Sequence, residues 1–431
     1  MGDARPSRGT GIRAALIALR PDITPLKGSR GYGLLYASSA ISLFGSMVTA
    51  VAAPLQLKEL TNSTVAVGLI GVAEVVPMIV CSLLGGAIAD VHDRRRVLLL
   101  TEVAALLASL LLAINAMVPT PSVAVIYLAA AAASAAAALH RPSAEAMLAR
   151  LIPREQQAAA AALLGLQTTA GAILGPALGG LLAAFDLPLA YLLDVATFAV
   201  SLVLLFRLAP MRAGGEQDRI SFSGIAWGIR YAVGRRDLLG TYLVDIAAML
   251  LAMPQALYPF LADQLGVPGG LGLLYSAGAI GGAVVTLTGG WMTRIRRPGR
   301  AVVLAAAGWG VAIAAAGAVP VFWLVVAFLV LAGAADMVSG VFRGVIWNST
   351  IPNELRGRLA GIELLSYSTG PSLGNARAGL MAAVLGVRPA IAVGGAVCVG
   401  AVALVASVLP ALWRTDAGLG AAPSAPGAAE A

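Results

Sequence analysis

The sequence predicts an all-α integral membrane protein with twelve transmembrane helices arranged as two pseudo-symmetric six-helix bundles. Three observations carry that prediction. The 431 residues are 59% hydrophobic and only 12% charged, against about 25% charged in a soluble chain, and the mean hydropathy is +0.87. Apolar runs of about 20 residues, each enough to cross a hydrocarbon layer, divide the chain. The second half also repeats parts of the first without gaps.

The runs lie near 33–57, 65–89, 97–117, 121–147, 157–184 and 188–208, then 237–262, 268–292, 301–318, 321–348, 358–384 and 387–410. This gives a basic leading segment over 1–32, a first bundle over 33–208, a linker over 209–236, a second bundle over 237–410 and a tail over 411–431. The tail is rich in Ala, Gly and Pro and is expected to be disordered. Residues 12–19 are too short to span and suit a short interfacial helix.

The formal net charge of +8 takes its meaning from where the basic residues fall. Arg94 to Arg96, Arg150, Arg154, Arg235, Arg236, Arg294, Arg296, Arg297 and Arg414 cluster in alternate loops and at the termini, while Lys58 and Arg388 fall in the opposite loops. This asymmetry places both termini in the cytoplasm. Nucleic-acid binding is a poor reading, because the arginines are scattered and no aromatic residues interleave them. Cys81 and Cys398 sit inside apolar runs, only two histidines are present, and no phosphate loop occurs, so neither a metal, another cofactor nor ATP is indicated.

The repeat has two ungapped stretches. Gly85 through Leu100 aligns on Gly289 through Leu304, and Ile152 through Ala184 aligns on Ile351 through Ala383. In the second, Gly171, Gly175 and Gly180 recur as Gly370, Gly374 and Gly379, while Pro176 and Leu178 are replaced by Asn375 and Arg377. Halves related in this way place a solute site at their interface near mid-membrane.

The turn after the second segment carries Gly86, Asp90, Arg94 and Arg95. With the duplicated plan, it resembles the major facilitator superfamily, whose signature there is Gly, three residues, Asp and a basic cluster. Val91 and Asp93 depart from the usual pattern. The variant is similar to that of the bacterial efflux branch containing enterobactin and macrolide exporters. The resemblance implies a conformational latch in which Asp90 meets helix-end dipoles and arginines when the cytoplasmic side is closed. Gly175, Pro176, Gly179 and Gly180 resemble the superfamily's antiporter motif, and by that resemblance matter more than their second-half counterparts.

A proton-driven exporter needs an acid that changes charge inside the bundle, and an intramembrane ionisable residue is costly unless it works or is paired. The candidates are Glu74, Asp194, Asp245 and Asp336, with Arg141 and Arg343 as embedded bases. The resemblance promotes Asp245, Asp336, Arg141 and Arg343 as cavity residues. Glu74 and Asp245 have no basic residue close in sequence within their segments, whereas Asp336 and Arg343 lie about two turns apart on one helix face and also suit a structural ion pair. Ser38, Ser39, Ser42, Ser46 and Thr49 suit a cavity wall or a close helix contact. Met249, Met253, Gln255 and Tyr258 suit an adaptable wall.

The expected activity is export of an amphipathic small molecule, such as a drug or siderophore, by a monomer in the bacterial plasma membrane, driven by proton antiport. The residues leave open an importer of a small metabolite, or a non-transporting receptor or lipid-flipping protein. No nucleophile with a suitably spaced base suggests an enzyme.

Overall fold

The computed structural model describes residues 22–210, 230–231, 234–351 and 356–416, with the side chains of 83–91, 149 and 356–368 left outside the description. All regular structure among the described residues is helical. The long helices are α1 (Arg30–Thr61), α2 (Thr64–Val91), α3 (Arg94–Met117), α4 (Val123–Leu151), α5 (Gln157–Phe185) and α6 (Leu187–Phe206). There follow α7 (Arg236–Ala252), α8 (Leu271–Thr288), α9 (Pro298–Ala318), α10 (Phe322–Thr350), α11 (Arg356–Leu385) and α12 (Val387–Val408). Among the described residues, eleven helical stretches are long and apolar enough to cross a membrane. Such a chain folds this way because hydrocarbon offers the backbone no hydrogen bonds, so each crossing must satisfy its own.

The helix ends are written locally. Ser29 caps α1 by accepting from the Tyr32 amide at 3.2 Å, and Asn62 ends that helix in the left-handed region at φ 46°. Asp93, which departs from the family pattern, caps α3 by accepting from the Arg96 amide at 3.3 Å. The close connection of α11 to α12 turns at Gly386, φ 87°, a conformation that favours glycine.

Two boundaries differ from expectation. The run over 237–262 is not one continuous helix: α7 stops at Ala252, a single 3-10 turn spans Gln255–Leu257, and a short helix Tyr258–Gln264 resumes. Pro254 lacks the amide proton needed to continue the ladder. Neighbouring helices satisfy what the break exposes: Asn375 of α11 accepts from the Ala256 amide at 2.9 Å, and Tyr275 of α8 donates to the Gln255 carbonyl at 3.0 Å. The tail also begins later than expected. Residues Pro410–Arg414 form a short helix whose Leu412 is fully buried, and Arg300 lies 5.3 Å over the Trp413 ring. Residues 12–19, most of the linker and 417–431 fall outside the described residues.

Helix packing repeats with an offset of six. α1 packs on α5 and α6, α2 on α4, and α3 on α4 and α6; α7 packs on α11 and α12, α8 on α10, and α9 on α10 and α12. The two sets meet along α2 with α11 and along α5 with α8. Both meetings need glycine: a Cβ on Gly180 would stand 2.3 Å from the Gly272 nitrogen, and one on Gly379 would stand 2.3 Å from the Thr64 carbonyl oxygen. The matched positions are equally tight, so the expected dominance of the first-half motif does not follow from packing. Gly374, for example, has no more room than Gly175, its Cβ position lying 2.2 Å from the Met249 carbonyl oxygen.

Gly180→Val and Gly379→Val are therefore expected to destabilise the purified protein alike, each by roughly 1–3 kcal/mol or more of overpacking. Thermal unfolding in detergent measures this, and an effect confined to Gly180 would contradict the equivalence.

Candidate functional site

Three charged residues of the second half converge on one place. Asp245 on α7 is only 2% exposed, and its carboxylate makes an ion pair with the guanidinium of Arg343 on α10. Asp336 lies two turns from Arg343 on the same helix, its Oδ1 3.9 Å from Arg343 Nη2. One arginine thus faces two acids from two helices. Asp245, which has no base near it in sequence, is the acid held directly, and Asp336 is the looser one, with a side chain 42% exposed. The reason is geometric: a seven-residue spacing puts Asp336 and Arg343 on one face, but the long arginine side chain reaches across to α7.

Glu74 on α2 is half-buried. Its carboxylate has no hydrogen bond or ion pair to a described residue, while its backbone carbonyl accepts from Ser134 of α4 at 2.8 Å. Asp194 on α6 is in the opposite situation. It accepts from Thr49 of α1 at 2.6 Å and from Ser109 of α3 at 2.7 Å, and with Thr197 beside it it ties three helices together. The hydroxyls of α1 are accordingly divided. Ser38 pairs with Ser201 of α6 at 2.7 Å and Ser42 bonds back to the Ser38 carbonyl, so these two and Thr49 form helix contacts; Ser39 and Ser46 remain half-exposed.

Glu102 on α3 is a buried acid that the sequence reading passed over. It is 3% exposed, accepts from Ser201, and lies 3.6 Å from Nδ1 of His140 on α4. It lies just over two turns inside a helix that opens on three arginines. Its nearest polar company comes from other helices.

Arg94 and Arg95 act within their own half. Arg94 is buried and donates to the Ala146 carbonyl of α4 at 3.1 Å. Arg95 donates to the carbonyls of Leu205 at 3.2 Å and Phe206 at 2.6 Å, at the last turn of α6, where helix-end carbonyls attract cations. α2 continues helically through Gly86 and Asp90 to Val91, and the Asp90 side chain falls outside the description. Arg141 is not a buried base: it is 49% exposed and paired at 2.9 Å with Glu145, four residues on. Met249, Met253 and Tyr258 are buried, and Met249 and Met253 press against Gly370 and Gly374 of α11, so packing, not an open wall, is their place. Gln255 is half-buried at the helix break. At the glycine motif, α5 packs on α8, where Ser276 donates to the Ile173 carbonyl at 2.7 Å.

Paired helical repeats, a broken helix and charges gathered between helices define a multi-pass membrane transporter. The chain belongs to the transmembrane secretion effector family of the major facilitator superfamily, whose model matches residues 22–423. It is 29% identical over 366 residues to the enterobactin exporter EntS of Shigella flexneri, covering 84% of this chain and 88% of that protein. The corresponding exporter of Escherichia coli O139:H28 is 28% identical over the same shares. The resemblance read from the basic turn is thereby borne out. Among solved structures, the fold is similar to that of the nucleoside transporter NupG, with TM-score 0.69 and 14% identity over 89% of this chain and 99% of that one. A POT family transporter in complex with 5-aminolevulinic acid gives TM-score 0.69 and 12% identity, covering 90% and 97%.

Removing one partner of a buried ion pair costs about 3–5 kcal/mol. Arg343→Met is thus expected to destabilise the protein strongly, and Asp245→Asn combined with Arg343→Met to recover a large part of the loss. A double-mutant cycle on thermal unfolding checks it; additive losses would mean the two groups do not act as a pair.

Proposed function

We propose that the chain is a proton-coupled secondary active exporter of amphipathic small molecules such as drugs or siderophores, working by alternating access in the bacterial plasma membrane. In this reading it has twelve membrane-crossing helices in two six-helix halves, both termini lie in the cytoplasm, and a monomer is the working unit. The observation that carries the reading is the charge set of Asp245, Arg343 and Asp336, one base between a buried and an accessible acid. The accessible acid can exchange a proton or meet a solute, and Arg343 can redistribute between the two carboxylates as that charge changes. Membrane-embedded charges so arranged are the usual elements of a coupled pathway.

Two further features support alternating access. The ends of the halves marked by Thr64, Gly180, Gly272 and Gly379 are in contact through glycines. A Thr64 hydroxyl bond to the Gly379 carbonyl at 2.9 Å and a Lys58–Asp263 ion pair are added there. On the proposed topology this is the outer face, so the state is closed outward. Siderophore-like cargo is favoured by the relatives named as enterobactin exporters and by an Ala-rich, aromatic-poor chain lacking the hydrogen-bonding density a sugar needs. Gly86 and Asp90 with Arg94 and Arg95 are proposed to latch the cytoplasmic side in the opposite state, so Asp90→Asn should insert normally and export slowly.

The test uses proteoliposomes with enterobactin as the probe, measuring proton movement beside counterflow, which needs no net coupling. Asp336→Asn is expected to abolish substrate-linked proton movement while counterflow survives. Asp245→Asn, which strands Arg343, should impair both, and Glu74→Gln reports whether the unpaired α2 acid shares the load. Uphill export with unchanged pH dependence in all three variants would refute proton coupling through these residues. Uptake instead of export in inverted vesicles would identify an importer.

A further inference from the structure

The first half holds an acid and an imidazole that the α7 and α10 charge set does not use. Glu102 is almost wholly buried between α3, α4 and α6. One carboxylate oxygen accepts from Ser201, itself bonded to Ser38 of α1 at 2.7 Å, and the other lies 3.6 Å from His140 Nδ1. The Thr101 hydroxyl bonds to the Val97 and Leu98 carbonyls at 3.0 Å each and lies 3.0 Å from the same imidazole nitrogen. Assigning its single hydrogen to the backbone makes Thr101 the acceptor from His140 and puts the proton on Nδ1. Nε2 is then the lone-pair nitrogen, and it makes no hydrogen bond to a described residue. The His140 side chain is 20% exposed, and the next residue, Arg141, is half-exposed.

We propose that Glu102 and His140 form a second proton-binding site, filled from the side of the protein where Arg141 and Glu145 are exposed. Nε2 takes a proton from water. The Nδ1 proton passes to the Glu102 carboxylate, and the imidazole is left neutral with its proton on Nε2. Charge balances at each stage, because one proton enters the pair and one remains there. The site rests on the proton-coupled reading above, but its existence is testable without any cargo.

The surroundings explain why the pair can hold a proton. A carboxylate buried among hydroxyl donors is costly as an anion, and among the described residues no Lys or Arg pairs with Glu102. The charged or titratable groups on the packed elements are few. Asp194 stands on α6 seven residues from Ser201, about 10 Å along the helix, and is already engaged by Thr49 and Ser109. On α4, Arg141 and Glu145 pair with one another. Glu74 faces α4 from α2 at the level of Ser134, two turns from His140. Arg94 at the base of α3 is turned to the Ala146 carbonyl, and α1 offers Ser38 and Ser42 with Tyr32 and Tyr36 below them.

Only two histidines occur in the chain, so His92→Gln leaves His140 as the one imidazole. In this variant, with nitrogen-15 histidine in detergent or nanodiscs and no substrate, the imidazole signals are expected to show Nδ1 protonated at high pH. On acidification they should then change to the neutral form protonated on Nε2, a change that is lost when Glu102 is replaced by Gln. Thr101→Val, which keeps volume and carboxylate, should alter the tautomer ratio even if Glu102→Gln folds poorly. Signals that stay constant with pH, or that ignore both substitutions, overturn the proposal. In proteoliposomes Glu102→Gln should lower the protons moved per cargo while Glu102→Asp restores them. If the unmodified protein moves no protons but the imidazole behaves as expected, the antiport reading fails and the site stands.

Discussion

Close approach of backbones at two symmetry-related seams governs this structure. Where α5 meets α8 and α2 meets α11, no side chain fits between Gly180 and Gly272, or between Gly379 and the first turn of α2. Between helices in lipid there is little hydrophobic drive to associate, so packing and backbone proximity decide where they touch. Placing that contact towards one end of the two halves leaves the rest of the interface free to differ, which is the geometric precondition for opening on one side at a time. The short polar bonds from Thr64 and Ser276 to facing carbonyls are possible only because the glycines admit them.

The halves share a packing plan yet neutralise buried acids by different chemistry. In the second half a guanidinium spans Asp245 and Asp336. In the first half hydroxyls surround Asp194, and a serine and an imidazole attend Glu102. An arginine carries a permanent charge and can only be exchanged between partners, whereas hydroxyls and imidazole can pass or withhold a proton. On the proposed coupling both halves then handle protons, one through an acid that faces an arginine and the other through an acid that faces an imidazole.

Much of this was legible in the chain. Run lengths and the ungapped repeat located the helices, and the basic turn with the glycine motif led to the family. What escaped was whatever depended on contact between distant segments. Asp245 and Arg343 are far apart in sequence, so Asp245 read as unpaired. Glu102 went unremarked because its serine and histidine partners lie on α6 and α4. Met249 and Met253 read as a wall because their periodicity does not say which helix they meet. Other features were readable in principle: Glu145 lies four residues from Arg141, the spacing of a helical ion pair, and Pro254 marks a break inside an apolar run. Asn375, noted only as a departure from the Pro176 pattern, turns out to serve that break.

That last contact joins the pieces. Because the ladder stops at Met253 and Pro254, Asp245 and Asp263 lie on separate helical segments. The lower one is bonded to α10 through Arg343, and the upper one to α1 through Lys58. Between them the exposed backbone is held by Asn375 of α11 and Tyr275 of α8, the same two helices that form the glycine seams with the other half. On the proposed coupling, a change of charge at Asp336 that moves Arg343 would act on α7 below the break and reach the seam through the residues that complete the break. A continuous helix would carry the same displacement straight to the Lys58 end. On that reading the interruption would let the centre respond first while the Lys58 end is still held, the order of events that keeps both sides from opening together.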